Sequence, residues 1–215
     1  MDVEEIRTAR LVLKQLHTND LGSEDLECYH RIWSDELATH YHGPCKTKEA
    51  SQQWMAGVLP RSATGNQVKV AFAVWPMTTT ASGTPDSQAV GILTLLSTAF
   101  RLASETTTTT AAAADPEDGG AVVELGYLFH PDSWGRGYAT ESLRALLEAY
   151  VQQRAARSPD APFEIRASAH SENRASVRVL EKLGFEELGR FEHEGRLPLR
   201  KETSKDVVLH LRLKR

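Results

Sequence analysis

Cysteine is scarce: Cys28 and Cys45 are the only two in 215 residues. Two thiols in unlike settings make no disulfide framework. A chain this long needs none, because a domain of about 150 residues already buries roughly 70% of its unfolded surface. Their scarcity suits a reducing compartment, and the expected location is cytoplasmic. Long apolar runs are also missing. The longest mostly apolar stretch, Ala89 to Leu96, falls far short of the ~20 residues a membrane span requires. The opening Met1-Asp2-Val3-Glu4-Glu5 is acidic where a secretory leader is basic and then apolar. No membrane partner is expected. Nor is there an excess of positive charge, since 25 Lys and Arg face 29 Asp and Glu for a net charge of -4. Without a global positive field, nucleic acid is not expected as a principal partner. What is present, 40% hydrophobic and 25% charged residues, is ordinary for a globular chain. A single domain over residues 1–215 is expected, as a monomer or homodimer.

The chain alternates between two periodicities. Leu11, Val12 and Leu13 mark a first strand within Arg7 to Leu16. Asp20 to Trp33 has helical spacing, with Asp20 as candidate N-cap. A second short helix opens near Thr47 and runs to about Val58. Val68, Val70, Phe72 and Val74 alternate as in a half-buried strand, and Ala89 to Leu96 and Val122 to Phe129 read as two more. Between these last two, residues 104–120 (SETTTTTAAAADPEDGG) carry no aromatic or branched aliphatic side chain. Such a segment buries too little to offset its ordering entropy, so a low-complexity mobile insertion is expected there. Ala139, Leu143, Leu146, Leu147, Tyr150 and Val151 form a strong helical stripe. A strand over Phe163 to Ala169, a helix over Glu172 to Leu183, a strand from Phe185 and a last strand over Asp206 to Leu213 complete the pattern.

The chemistry concentrates in Glu124-Leu125-Gly126-Tyr127-Leu128-Phe129-His130-Pro131-Asp132-Ser133-Trp134-Gly135-Arg136-Gly137-Tyr138-Ala139-Thr140. It reads strand, glycine-bearing loop, helix start. Free N–H groups and partial positive charge at a helix start, with glycines that let the backbone approach closely, make a phosphate cradle. The plainer alternative is a strand-to-helix turn whose glycines only supply positive φ. No Gly-Lys-Ser/Thr follows, so the loop is not a Walker loop. The three-glycine dinucleotide spacing is absent as well.

Trp134-Gly135-Arg136-Gly137-Tyr138-Ala139-Thr140 resembles motif A of the GNAT acetyltransferases, with Trp134 where Gln or Arg is usual. The segment from Asn173-Arg174-Ala175-Ser176 to Lys182-Leu183-Gly184-Phe185 resembles the motif B that follows. Thr8-Ala9-Arg10-Leu11-Val12-Leu13 is similar to the first strand of the RimJ and RimL-like branch.

The resemblance implies an α+β (α/β) GNAT fold: a mixed, mostly antiparallel sheet of six to seven strands, about four helices and a splayed parallel pair. It implies acetyl-CoA as cosubstrate and, as acceptor, a primary amine on a protein N-terminus or a small molecule. The backbone of Tyr127, Leu128 and Phe129 would pair with the pantetheine arm. Trp134, Gly135, Arg136, Gly137, Tyr138, Ala139 and Thr140 would form the pyrophosphate loop, and Asn173 and Ser176 would bond the arm from the second helix. Packing is the alternative role for Tyr138, helix entry for Asn173. Glu124, the sole carboxylate of its strand, would be the general base, unless it faces solvent or only positions substrate. No metal is implied. On that second helix Asn173, Ser176 and Leu180 stand at i, i+3 and i+7 and are expected to share the face that looks into the splay, and many GNAT enzymes carry a catalytic tyrosine where this chain has Leu180. That departure keeps a non-catalytic CoA-binding module, or an interaction domain, as the alternative function.

Overall fold

Two hydrophobic clusters lie on opposite faces of one sheet. The computed structural model describes residues 3–60, 68–77, 88–97, 121–159, 163–196 and 203–213. Its strands are β1 (Glu5–Arg7), β2 (Leu11–Gln15), β3 (Lys69–Pro76), β4 (Gly91–Ser97), β5 (Ala121–Phe129), β6 (Phe163–His170), β7 (Phe185–Arg196) and β8 (Thr203–Leu213). The helices are α1 (Glu24–Trp33), α2 (Lys48–Met55), α3 (Tyr138–Arg157) and α4 (Arg174–Lys182). The sheet order is β1-β2-β3-β4-β5-β6-β8-β7, and β5 with β6 is the parallel pair among the described strands. This is the expected α+β architecture with one strand more than expected. Thr8 accounts for the extra strand: its hydroxyl accepts from the Leu11 N–H at 2.9 Å, turning the chain between β1 and β2.

Strand pleating separates the two faces. Val70, Phe72, Val74, Leu93, Leu95, Val123 and Leu125 point to one side, against Leu143, Leu146, Leu147 and Tyr150 of α3 and Leu180 of α4. Ala71, Ala73 and Ile92 point to the other, against Leu26, Tyr29 and Ile32 of α1 and Met55 of α2. Val70 to Val74 are therefore buried on both faces, where the sequence suggested a half-buried strand. The small Ala71 and Ala73, which look neutral in sequence, lie under α1.

Helix α1 starts at Ser23, whose side chain accepts from the Leu26 N–H at 3.2 Å. Asp20 is not the cap. Its carboxylate accepts from the Thr18 hydroxyl, and its carbonyl from the Ser23 N–H, in the turn before the helix. The insertion expected at 104–120 lies outside the described residues. No described helix is long and apolar enough to cross a membrane.

Candidate functional site

The parallel ladder runs only from Ala121 opposite Phe163 to Glu124 opposite Arg166. Beyond it, among the described residues, β6 pairs with β8 alone, from Arg166 to His170, and β5 continues along β4 to Phe129. The two strands diverge. The His130 N–H bonds to Val90 in the β4 direction. By strict alternation the even-numbered residues of β5 bond to β4; Leu125 faces β6 at the last rung of the parallel ladder, and beyond it Tyr127 and Phe129 turn their backbone groups to the gap. Leu128 is thus corrected: its backbone belongs to the β4 ladder, and it enters the cleft wall by its side chain.

A cavity of about 660 Å³ fills the gap and opens along the start of α3. Pro131–Ser133 forms a short 3-10 turn, and Gly135 and Gly137 then adopt φ of 73° and 77°. These left-handed values are costly for residues with a Cβ. They coil the chain tightly enough for α3 to begin at Tyr138 with no side-chain cap, so its first N–H groups stay available. Gly135, Gly137, Tyr138, Ala139 and Thr140 line the cavity. Arg136 does not: it turns its carbonyl to the Arg10 guanidinium at 3.0 Å. Tyr138 is buried and has the Arg10 guanidinium 5.1 Å over its ring. The Trp134 indole donates to the Phe129 carbonyl at 2.8 Å, on the open edge of β5.

Across the cleft, the Asn173 side-chain oxygen accepts from the Ser176 N–H at 3.1 Å and caps α4. Ala175, Ser176, Val179 and Lys182 follow along the cavity wall, a line at i, i+1, i+4 and i+7. Leu180 stands one step around the helix and is wholly buried in the core. The expectation that Leu180 shares the cavity face with Asn173 and Ser176 is corrected by this rotation. A phenol does reach the gap, from the strand instead. The Tyr127 hydroxyl lies 2.6 Å from Ser176 Oγ and 3.0 Å from the Ser176 carbonyl. Burial pushes its pKa up to about 12 against the opposing Ser176 bond, so it stays protonated through the neutral range.

Glu124 ends the parallel ladder and, by its register, shares the α1/α2 face with Ile92 and Leu128. Burial raises its carboxyl above the ordinary value, and a hydrogen bond with Ser168 opposes the rise. It does not line the 660 Å³ cavity. On the same face, Tyr41 stacks on His170 with ring centroids 4.7 Å apart, and His40 meets Tyr41 edge-on. His40 and Tyr41 also line the cavity. The cleft therefore runs from the start of α3, through the β5/β6 gap, to an aromatic wall on the far face.

The acetyltransferase (GNAT) domain model matches residues 10–186. The chain belongs to the GNAT acetyltransferases. Over 64 residues the chain is 38% identical to the uncharacterized protein YkkB of Bacillus subtilis (strain 168), a stretch covering 30% of this chain. It thereby spans only 34% of that curated relative's length. Solved structures share the fold over nearly the whole chain. A GNAT-family acetyltransferase from Bacillus anthracis superposes with a TM-score of 0.62 at 18% identity, covering 97% of both chains. RimL, a ribosomal L7/L12 alpha-N-protein acetyltransferase in its apo form, gives 0.64 at 15%, covering 98% of this chain and 93% of that one. An acetyl transferase from Salmonella typhimurium that modifies the N-terminal serine of 50S ribosomal subunit protein L7/L12 gives 0.61 at 13%, covering 97% and 98%. At such identities the likeness is one of fold.

Several side chains at the GNAT cleft escaped the sequence reading. Arg10 and Glu141 stand 131 positions apart, and only the folded chain joins them. The loop around Tyr41 is legible in the sequence as a determinant of acceptor choice, but its stacking on His170 at the end of β6 is not. The Tyr127 hydroxyl meets Ser176 across 49 positions, a pairing that no local pattern marks.

Proposed function

We propose that this chain is an acetyl-CoA-dependent N-acetyltransferase that transfers the acetyl group directly to a primary amine. The observation that carries this reading is the continuous cleft from the uncapped start of α3 to the open backbone edge of β5. The amides from Gly137 to Thr140 receive the pyrophosphate, and Trp134 and Gly135 flank it. Arg136 contributes its backbone. Tyr127 and Phe129 offer backbone groups to the pantetheine arm, which must compete with the Trp134 indole for the Phe129 carbonyl. The Phe129 N–H faces the gap and can donate to the thioester oxygen as it gains charge.

The acceptor approaches along the aromatic wall of His40, Tyr41 and His170, and Glu124, set back from the cavity, takes its proton through water. Its raised pKa brings it nearer the range in which a carboxylate works as a base. The coupled hydroxyls of Ser176 and Tyr127 stand in for the acid that Leu180 cannot supply, by donating hydrogen bonds to the departing thiolate. A free thiol has a pKa of about 8.5, so this stabilisation suffices without full proton transfer. The acceptor is a protein N-terminus or a small amine, and the setting is cytoplasmic. Leu180 in the core is the one observation favouring a second reading, a CoA-binding module without turnover. Calorimetric titration with acetyl-CoA, then thiol release across a panel of N-terminal peptides and small amines, separates the two. Binding without release from any amine supports the module.

Asn173 offers a test of its two roles. Aspartate caps a helix about as well as asparagine, but it lacks the amide donor. Asn173→Asp should hold its melting temperature yet bind acetyl-CoA less tightly, as calorimetry would show. Asn173→Ala should lose about 1 kcal/mol of stability as well. Unchanged affinity in Asn173→Asp would leave Asn173 as a cap alone.

A further inference from the structure

The turn between β1 and β2 reaches the start of α3. Arg10 Nε and Nη2 contact Glu141 Oε2 at 2.7 and 2.6 Å, and the Arg10 backbone N–H donates to Oε1 at 3.0 Å. The Thr8 hydroxyl donates to the same Oε1 at 2.6 Å. The remaining arm, Nη1, donates to the Arg136 carbonyl at 3.0 Å. Five polar contacts thus tie Thr8 and Arg10 to the loop and first turn that border the cleft.

Two consequences follow from chemistry. First, a peptide unit is planar and trans, so its C=O and N–H point in opposite directions. Holding the Arg136 carbonyl toward Arg10 turns the Gly137 N–H away from Arg10. Gly137 itself lines the cavity. The loop amide is thereby set as an anion donor before any anion arrives. Secondly, Glu141 is a carboxylate in the first turn of α3, next to the place an anionic ligand would take. Partial burial raises its pKa, but the bonds from Thr8 and Arg10 and the Arg10 charge outweigh this and hold it below the ordinary value. It is thus ionised at neutral pH, and its repulsion is cancelled only while Arg10 is in place.

We propose that Arg10 is a positioning residue for cofactor recognition: it orients the 136–137 peptide and neutralises Glu141, so that the loop accepts a pyrophosphate. This rests on the acetyl-CoA reading above. Arg10 acts without touching the cofactor, and its influence is confined to the part of the cofactor that carries phosphate.

The test compares two acetyl donors, acetyl-CoA and S-acetylpantetheine, which lacks every phosphate. Arg10→Ala should weaken acetyl-CoA binding and raise its KM by ~10-fold or more, the scale of one lost charge-assisted hydrogen bond. Its kcat should stay near wild type, as should kcat/KM for S-acetylpantetheine. Arg10→Lys, which keeps the charge but cannot bridge Glu141 and the Arg136 carbonyl together, should fall between. Removing the orphaned charge in Arg10→Ala/Glu141→Gln should recover part of the lost affinity. Equal losses for both donors would overturn the proposal in favour of a general structural role. Failure of the double variant to recover any affinity would overturn it in favour of direct phosphate contact. Wild-type protein that binds acetyl-CoA no better than S-acetylpantetheine would refute the pyrophosphate site itself, a result distinct from either.

Discussion

Gly137→Val is expected to bind acetyl-CoA ~10-fold or more weakly while remaining folded. The reason lies in the backbone. At φ of 77° a side chain with a Cβ pays about 1–2 kcal/mol, and a β-branched one is worse placed still. The chain can relieve that strain by rotating the 136–137 peptide, which removes the amide donor from the cleft. Crowding is not the cause, since a Cβ at Gly137 would meet Arg10 Nη2 at an ordinary 3.5 Å. The strain is small against the 5–15 kcal/mol typical of domain stability, so circular dichroism should be unchanged. Calorimetry that finds unaltered affinity in the folded variant would remove the loop from the cofactor site.

Glu124→Gln should retain acetyl-CoA affinity and lose ~100-fold or more in turnover at neutral pH, the usual scale of general-base catalysis. The pH profile makes this specific. Because burial raises the Glu124 pKa, the proton is held to higher pH than on a free glutamate. The acid limb of kcat/KM in the wild type should therefore sit above the ordinary carboxylate value, with activity falling as pH drops through it. That limb should vanish in the variant. Its deficit should narrow toward the acceptor's own pKa, where neutral amine is supplied by solution. A uniform deficit at every pH would make Glu124 a positioning group, and near-normal turnover at pH 7 would dismiss it as base.

The readable parts of this chain are those whose pattern reports one environment. The α3 stripe of Leu143, Leu146, Leu147 and Tyr150 faces one buried layer, and periodicity alone locates it. The glycine loop before it is legible because positive φ has few other solutions. β3 misleads because both its faces are covered, and alternation carries no signal there. On α4 the spacing of Asn173, Ser176 and Leu180 suggested one face, yet the helix axis is turned so that Val179 meets the cavity and Leu180 the core. Spacing fixes relative directions around a helix but not its rotation against the sheet. The bonds from Arg10 to Glu141 and Arg136 were illegible for a different reason: nothing local in a Thr-x-Arg turn announces a partner more than a hundred residues away.

Trp134 makes the cleft observable. Of the four tryptophans it alone lines the cavity, the residue 54% exposed and its indole tethered to the β5 edge. Trp33 is stacked between Tyr29 and Trp54, and Trp75 lies beneath Lys14. A ligand arm that claims the Phe129 carbonyl must dislodge this indole and alter its solvation. With acetyl-CoA in the proposed site, the change in tryptophan emission on binding should come from this ring and report occupancy of the cleft.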